Sequence, residues 1–80
     1  MKIEINTFAV LKEHFPSSFE LEVNNIYTIA ELKNELCKIS PSASAMLNSS
    51  RFAVNEIFVN DSTIVSEYAS VFIVPPSSGG

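Results

Sequence analysis

Tyr27-Thr28-Ile29-Ala30-Glu31-Leu32-Lys33-Asn34-Glu35-Leu36-Cys37-Lys38-Ile39-Ser40-Pro41 carries the clearest local signal in the chain. Thr28 and Glu31 have the spacing of a capping box, in which the hydroxyl accepts the backbone N–H of the third helical residue and the carboxylate accepts the N–H of the cap. Tyr27 and Leu32 flank the box at the spacing of a hydrophobic staple. Ile29, Leu32, Leu36 and Ile39 recur near the helical period, which predicts an amphipathic helix over 28–39 with one apolar stripe. Ser40-Pro41 stops it, because the proline ring disfavours helical geometry in the residue before it. A helix with a single stripe must bury that stripe against another layer.

The flanking sequence supplies a sheet. Upstream, Ile3 and Ile5 alternate with Glu4 and Asn6, and Phe19, Leu21 and Val23 alternate with Glu20 and Glu22. Both runs have the period of half-buried strands. Between them, Phe8, Leu11 and Phe15 fall on one stripe, which predicts a short helix ended by Pro16. Asn24-Asn25 reads as a turn. Downstream, 40–50 reads as a Ser-rich surface connection holding at most one helical turn, with Met46 or Leu47 tucked under the sheet. Strands are expected at 52–54, 57–59 and 71–74, with turns at Asn55-Glu56 and Asn60-Asp61-Ser62 and a short extended piece at Ile64-Val65. The predicted class is α+β, a mixed sheet with one main amphipathic helix packed across one face. That order fits a β-grasp, and other α+β sheets share it. The expected organisation is one domain over 1–74 and an extended tail over 75–80.

Composition narrows the function. Apolar residues make up 46% of the chain and charged residues 18%, the balance of a folded globule. The net charge is −4 and the five basic residues are scattered, so no clustered footprint for a nucleic acid backbone exists. An acidic surface suits a protein partner with a basic docking face. Cys37 is the only cysteine, which rules out an internal disulfide and reads as a reducing, cytoplasmic setting. Met1 leads directly into strand-like sequence, with no expected signal peptide, and no apolar run reaches the ~20 residues of a membrane span.

Conventional catalytic material is sparse. His14 is the only histidine, so no second imidazole can build a relay or a metal site with it. It reads as a solvated surface residue. Cys37, beside Leu36 at the edge of the stripe, reads as a small half-buried hydrophobe. Both glycines lie at 79 and 80, which leaves none for a phosphate-binding loop. The domain is therefore not expected to be an enzyme by itself, or to hold a stable cofactor or metal.

Chemistry is instead expected in the ending Pro75-Pro76-Ser77-Ser78-Gly79-Gly80. Prolines favour an extended, stiff exit and cannot continue pairing in a sheet centre. Four extended residues reach about 13 Å, and residues no larger than serine can thread a narrow channel, glycine allowing the closest backbone approach. A terminal carboxylate with an ordinary pKa of about 3.3–3.7 is ionised at neutral pH and a poor acyl donor until it is activated. Attack on ATP gives an acyl-adenylate, from which a sulfur nucleophile displaces AMP to leave a thiocarboxylate.

The chain resembles the small, sulfur-carrier subunit of molybdopterin synthase, the MoaD family, of the ubiquitin-like β-grasp type. The likeness runs through Phe8-Ala9, the capped helix, Ala53-Val54-Asn55 and Val71, and its most specific part is Pro-Pro-x-x-Gly-Gly behind an apolar strand. The resemblance implies that an E1-like adenylyltransferase activates Gly80 with ATP and that sulfur is installed there. It further implies that the tail, Pro75 to Gly79, threads into the large synthase subunit, where Gly80 donates sulfur to cyclic pyranopterin monophosphate in a heterotetramer. Two departures stand out. Ser66-Glu67-Tyr68-Ala69-Ser70 replaces an acidic-glycine turn common in the family, and Ser77-Ser78 replaces a small apolar pair, which bears on partner preference.

Both faces of the last strand are apolar. Val71 and Ile73 are expected in the core, with Phe72 and Val74 turned to a partner; coverage of this second face by Met46 and Leu47 is the competing arrangement. Rival functions are a sulfur carrier for thiamine, tRNA thiolation or cysteine, and a ubiquitin-like modifier or plain interaction domain.

Overall fold

A computed structural model describes residues 1–24 and 27–76, Tyr27 by its backbone alone. The elements are β1 (Lys2–Thr7), a 3-10 turn (Ala9–Glu13), β2 (Ser18–Glu22), β3 (Tyr27–Thr28) and α1 (Ile29–Ile39). A 3-10 turn (Pro41–Ala43), α2 (Ser44–Ser49), β4 (Arg51–Val54), β5 (Ile57–Val59), β6 (Ile64–Val65) and β7 (Ser70–Val74) follow. The main sheet has the order β2-β1-β7-β4-β5, and β3 and β6 form a separate pair. β1 and β7 run parallel, while the other neighbours in the sheet run antiparallel. A parallel pair cannot be joined by a tight turn, and the chain between β1 and β7 is where the helices lie. This is the mixed sheet with helices on one face expected of a β-grasp.

The start of α1 is satisfied more fully than the capping box alone provides. Thr28 Oγ1 accepts from the Glu31 N–H, and the Glu31 carboxylate accepts from the Thr28 N–H at 3.0 Å. The next two free N–H groups, of Ile29 and Ala30, donate to the carbonyls of Thr63 and Asp61 at 3.0 Å each. Lys33 Nζ also pairs with Asp61 at 2.8 Å. The loop before β6 is thereby tied to the first turn of the helix. Orphan N–H groups at a helix start need such partners wherever water is excluded.

Ile29, Leu32 and Leu36 are buried as predicted, against Ile3, Ile5, Phe52, Val71 and Ile73 of the sheet. Ile39 departs from the expectation and is 55% exposed, because the helix ends there and the chain turns away at Ser40. The 40–50 connection is more ordered than a surface loop with one turn: α2 brings Leu47 to full burial, Ala43 is equally buried, and Met46 packs at the margin. The predicted first helix is a short 3-10 turn, with Leu11 and Phe15 buried but Phe8 outside the stripe. Asn25 of the predicted turn and the Tyr27 side chain of the staple lie outside the described residues.

Three places in the described chain put ordinary residues in the left-handed region, the first at Ala9 (φ 52°) just after β1. The β4–β5 hairpin turns on Asn55 (φ 50°) and Glu56 (φ 72°), as a two-residue primed turn requires. Asn55 suits this, and its Oδ1 accepts the Ser70 N–H at 3.2 Å while its own N–H donates to the Ser70 carbonyl at 2.9 Å. The Ala53-Val54-Asn55 run thus pins the hairpin to the beginning of β7. The turn before β7, which lacks glycine, still takes the left-handed geometry, at Tyr68 (φ 63°), whose N–H donates to the Lys2 carbonyl at 2.7 Å.

Opposite outcomes are expected at the two adjacent hairpin positions. Glu56→Gly removes a left-handed penalty of roughly 1 kcal/mol and raises the melting temperature. Asn55→Ala loses both the tolerated geometry and a hydrogen bond, and lowers stability by about 1–2 kcal/mol. Thermal unfolding followed by circular dichroism checks both, at about 4–8 °C per kcal/mol for a domain of this size.

Candidate functional site

Strand parity divides the sheet into two chemically different faces. In β7, Val71 and Ile73 are fully buried while Phe72 and Val74 are half-exposed on the opposite side. Leu47 and Met46 pack with the helix-side core, so they do not cover the face that carries Phe72. The register sets Phe72 between Asn6 of β1 and Ala53 of β4, with Phe58 of β5 next to Ala53. Phe8, one residue past β1, stacks on Phe72 with ring centroids 5.9 Å apart and planes 14° from parallel. This is favourable offset-type geometry for two aromatic rings. Phe8 is 40% exposed and Phe58 51%.

Polar groups border the aromatic centre on both sides. Toward β1 and β2, Ser70 Oγ donates to Glu4 Oε1 at 2.7 Å, and Asn6 Nδ2 reaches the same oxygen at 3.3 Å and Ser70 Oγ at 3.2 Å. The Ser70 bond first, and the Asn6 bond second, hold the Glu4 carboxyl below its ordinary value, against a small opposing effect of burial. Glu20 stands directly across from Glu4 and Lys2 across from Glu22 on the same face, so along this border carboxylates outnumber the one lysine. Glu22 is likewise shifted down, chiefly by the N-terminal ammonium that donates to it at 2.7 Å. Toward β5, the Arg51 guanidinium lies 3.9 Å from the Phe58 ring centroid.

The exit of the tail adjoins this face. Val74 is paired with Arg51 at the end of β7; Pro75 follows half-buried and Pro76 exposed. Ser77, Ser78, Gly79 and Gly80 lie outside the described residues. The other singled-out groups are elsewhere. His14 is half-buried, with Nδ1 3.4 Å from Ser42 Oγ, and so is less solvated than expected. Cys37 is a free, partly buried thiol packed against the core. Among the described residues no group of three His, Cys, Asp or Glu side chains is placed to hold a metal ion, and no helix is long and apolar enough to cross a membrane.

Sequence reasoning singled out Phe72 and Val74 but missed Phe8, Phe58 and Arg51. For Phe8 the signal was present: Lys2, Glu4, Asn6 and Phe8 share one parity of β1, and the helical reading of 8–15 concealed it. Phe58 and Arg51 join the face only through the pairing of β4 with β5 and β7, which no local pattern contains.

No curated protein matches the chain in sequence. Solved structures match it in fold. Small archaeal modifier protein 1 (SAMP1) from Haloferax volcanii superposes with a TM-score of 0.85 at 17% identity, covering 100% of both chains. A protein from Pyrococcus furiosus assigned as molybdopterin converting factor subunit 1 gives 0.86 at 17%, covering 96% of this chain and 99% of that one. A complex of subunits 1 and 2 of the molybdopterin-converting factor from Helicobacter pylori gives 0.69 at 20%, covering 100% of both chains. The ThiS family matches residues 5–80. With nearly its whole length inside that match, the chain belongs to the ThiS family.

Proposed function

We propose that this ThiS-family chain is the sulfur-carrier subunit of a molybdopterin synthase and that the Gly80 carboxylate is its reactive group. The observation that carries the reading is the extent of the family match, which runs through residue 80 and so includes Pro75-Pro76 and Gly79-Gly80. Support comes from the fold shared with molybdopterin converting factor subunit 1, one example of which is in complex with subunit 2.

In this reading an E1-like adenylyltransferase uses ATP. A Gly80 carboxylate oxygen attacks the α-phosphorus and pyrophosphate leaves. Hydrosulfide then attacks the acyl carbon, AMP leaves, and loss of the S–H proton gives the thiocarboxylate. The loaded tail enters the large synthase subunit and gives its sulfur to cyclic pyranopterin monophosphate. Pro75 and Pro76 keep the tail from folding back into the sheet, and Ser77, Ser78 and Gly79 are small enough to thread a narrow channel. Phe72 and Val74 contact the partner through the open face, where burial of aromatic surface supplies the affinity.

A ubiquitin-like modifier is the second reading, favoured by the equally close superposition on SAMP1. Intact mass after incubation with ATP, a sulfur source and the E1-like enzyme separates the two. The expected product is heavier by the exchange of one oxygen for sulfur and disappears when Gly79-Gly80 are deleted. Attachment to lysine side chains instead would establish the modifier, and unimpaired sulfur transfer by the truncated chain would contradict both readings.

The face has its own test. Phe72→Asp is expected to leave the circular dichroism spectrum native and to weaken binding to the large subunit by about tenfold or more. Gross unfolding of this variant would mean that Phe72 belongs to the core.

A further inference from the structure

Charge is distributed unevenly across the open face. Its β2–β1 side carries Glu20 and Glu4 directly opposite one another, with Lys2 across from Glu22 one pair further along the face; the excess of carboxylates there disfavours the isolated pair and suits a cation arriving from outside. Its centre is the Phe8–Phe72 stack. On the far side of β7 stands Arg51, in register with Val74 at the last residue before the prolines. Face and tail exit therefore meet at Arg51.

Arg51 differs from the two helix lysines. Lys33 is paired with Asp61 and Lys38 with Glu35. Arg51 has no carboxylate within ion-pair distance among the described residues, and its guanidinium instead rests on the Phe58 ring at 3.9 Å. The side chain is exposed, yet the ring contact limits its rotamers, so less entropy is lost when a second group binds it. It also borders, at the β5 edge, an open cleft of about 590 Å³ that reaches to the helix side, where Phe52 and the Lys33–Asp61 pair line it.

The geometry points to Arg51 as the residue that orients the tail-receiving protein, by pairing with a carboxylate which that protein inserts beside Phe58 while an apolar patch covers Phe8 and Phe72. The inference rests on the sulfur-carrier reading and adds to it the chemistry of the partner surface: acidic opposite Arg51, apolar at the centre, basic opposite Glu4 and Glu20. An apolar patch alone permits several rotations of the partner. Charges of opposite sign on the two sides of the patch favour one rotation, because the reversed arrangement places like charges together. That rotation fixes the direction in which Pro75 leads the tail. Exclusion of water as the patch closes strengthens both the guanidinium–ring contact and the bidentate pair with the incoming carboxylate.

Arg51→Glu, Arg51→Gln and Arg51→Lys in the full chain test this against the purified large subunit of the synthase, by calorimetric titration at low and at physiological salt. Arg51→Glu should weaken binding by about tenfold or more and Arg51→Gln by less. Arg51→Lys should recover part of the loss, and the salt dependence of the affinity should fall in the Glu and Gln variants. Melting temperatures close to the parent's establish that the variants are folded. An Arg51→Gln affinity within about twofold of the parent at low salt overturns the proposal. A homodimer detected by light scattering and abolished by Arg51→Glu overturns it too, since the face would then belong to a second copy. The mass test of the parent protein is independent: a parent chain that gains sulfur while Arg51→Gln binds normally refutes the role of Arg51 and leaves the sulfur-carrier reading intact. A parent chain that neither gains sulfur nor binds the large subunit refutes both.

Discussion

β1 and β7 lie side by side and parallel in the centre of the sheet, joined by the register Glu4↔Ser70 through Thr7↔Ile73. Almost everything else in the molecule answers to that pairing. Parallel neighbours require a long crossover, and the crossover here contains α1, α2 and the hairpin that supplies β4. The inward residues of the pair, Ile3, Ile5, Val71 and Ile73, are completely shielded from water and form the floor on which Leu32, Leu36 and Leu47 pack. Each such residue contributes about 1.5–3 kcal/mol on burial, large against a net stability of roughly 5–15 kcal/mol for a domain. A strand that is both central and last also sets where the chain leaves the body.

The outward residues of the same strands follow from the pleat. Once Val71 and Ile73 face the helices, Phe72 and Val74 have to face away, and the same parity presents Glu4, Asn6 and Ala53 beside them. An apolar strand with both faces occupied ordinarily belongs to a sheet covered on both sides. In this chain the described residues cover one side. The stack of Phe8 on Phe72 reduces the water-exposed area of each ring without hiding either, so the centre of the face keeps surface that a protein partner can bury.

Three of the four positive-φ residues among the described residues lie in the two turns that hold β7 in place, the fourth being Ala9 after β1. Asn55, Glu56 and Tyr68 all take positive φ where glycine would do so without penalty. Asn55 recovers part of the cost through its hydrogen bonds with Ser70. Tyr68 recovers part of it through a backbone bond to Lys2, which closes the loop against the start of β1. The non-glycine turn therefore keeps its geometry because the pairing on either side dictates it.

Local sequence determined a good deal about this protein. The capping box at Thr28 and Glu31, the stripe of Ile29, Leu32 and Leu36, and the alternation of β1, β2 and β7 are short-range patterns. Their physics, a satisfied N–H or a side chain every second residue on one face, operates within a few residues, so the α+β class and the inward residues of β7 were legible. The distinctive ending at Pro75-Pro76 and Gly79-Gly80 was equally plain as sequence. Tertiary structure alone decided the rest. Phe8 leaves the helical stripe because β1 continues its parity past Thr7 and meets Phe72. Leu47 is core because α2 folds beside α1. Ile29 and Ala30 find partners in Thr63 and Asp61, more than thirty residues along the chain. Arg51, Phe58 and Val74 become neighbours only through strand order, and strand order follows from which distant apolar faces can close on one another, a choice that no window of the sequence contains.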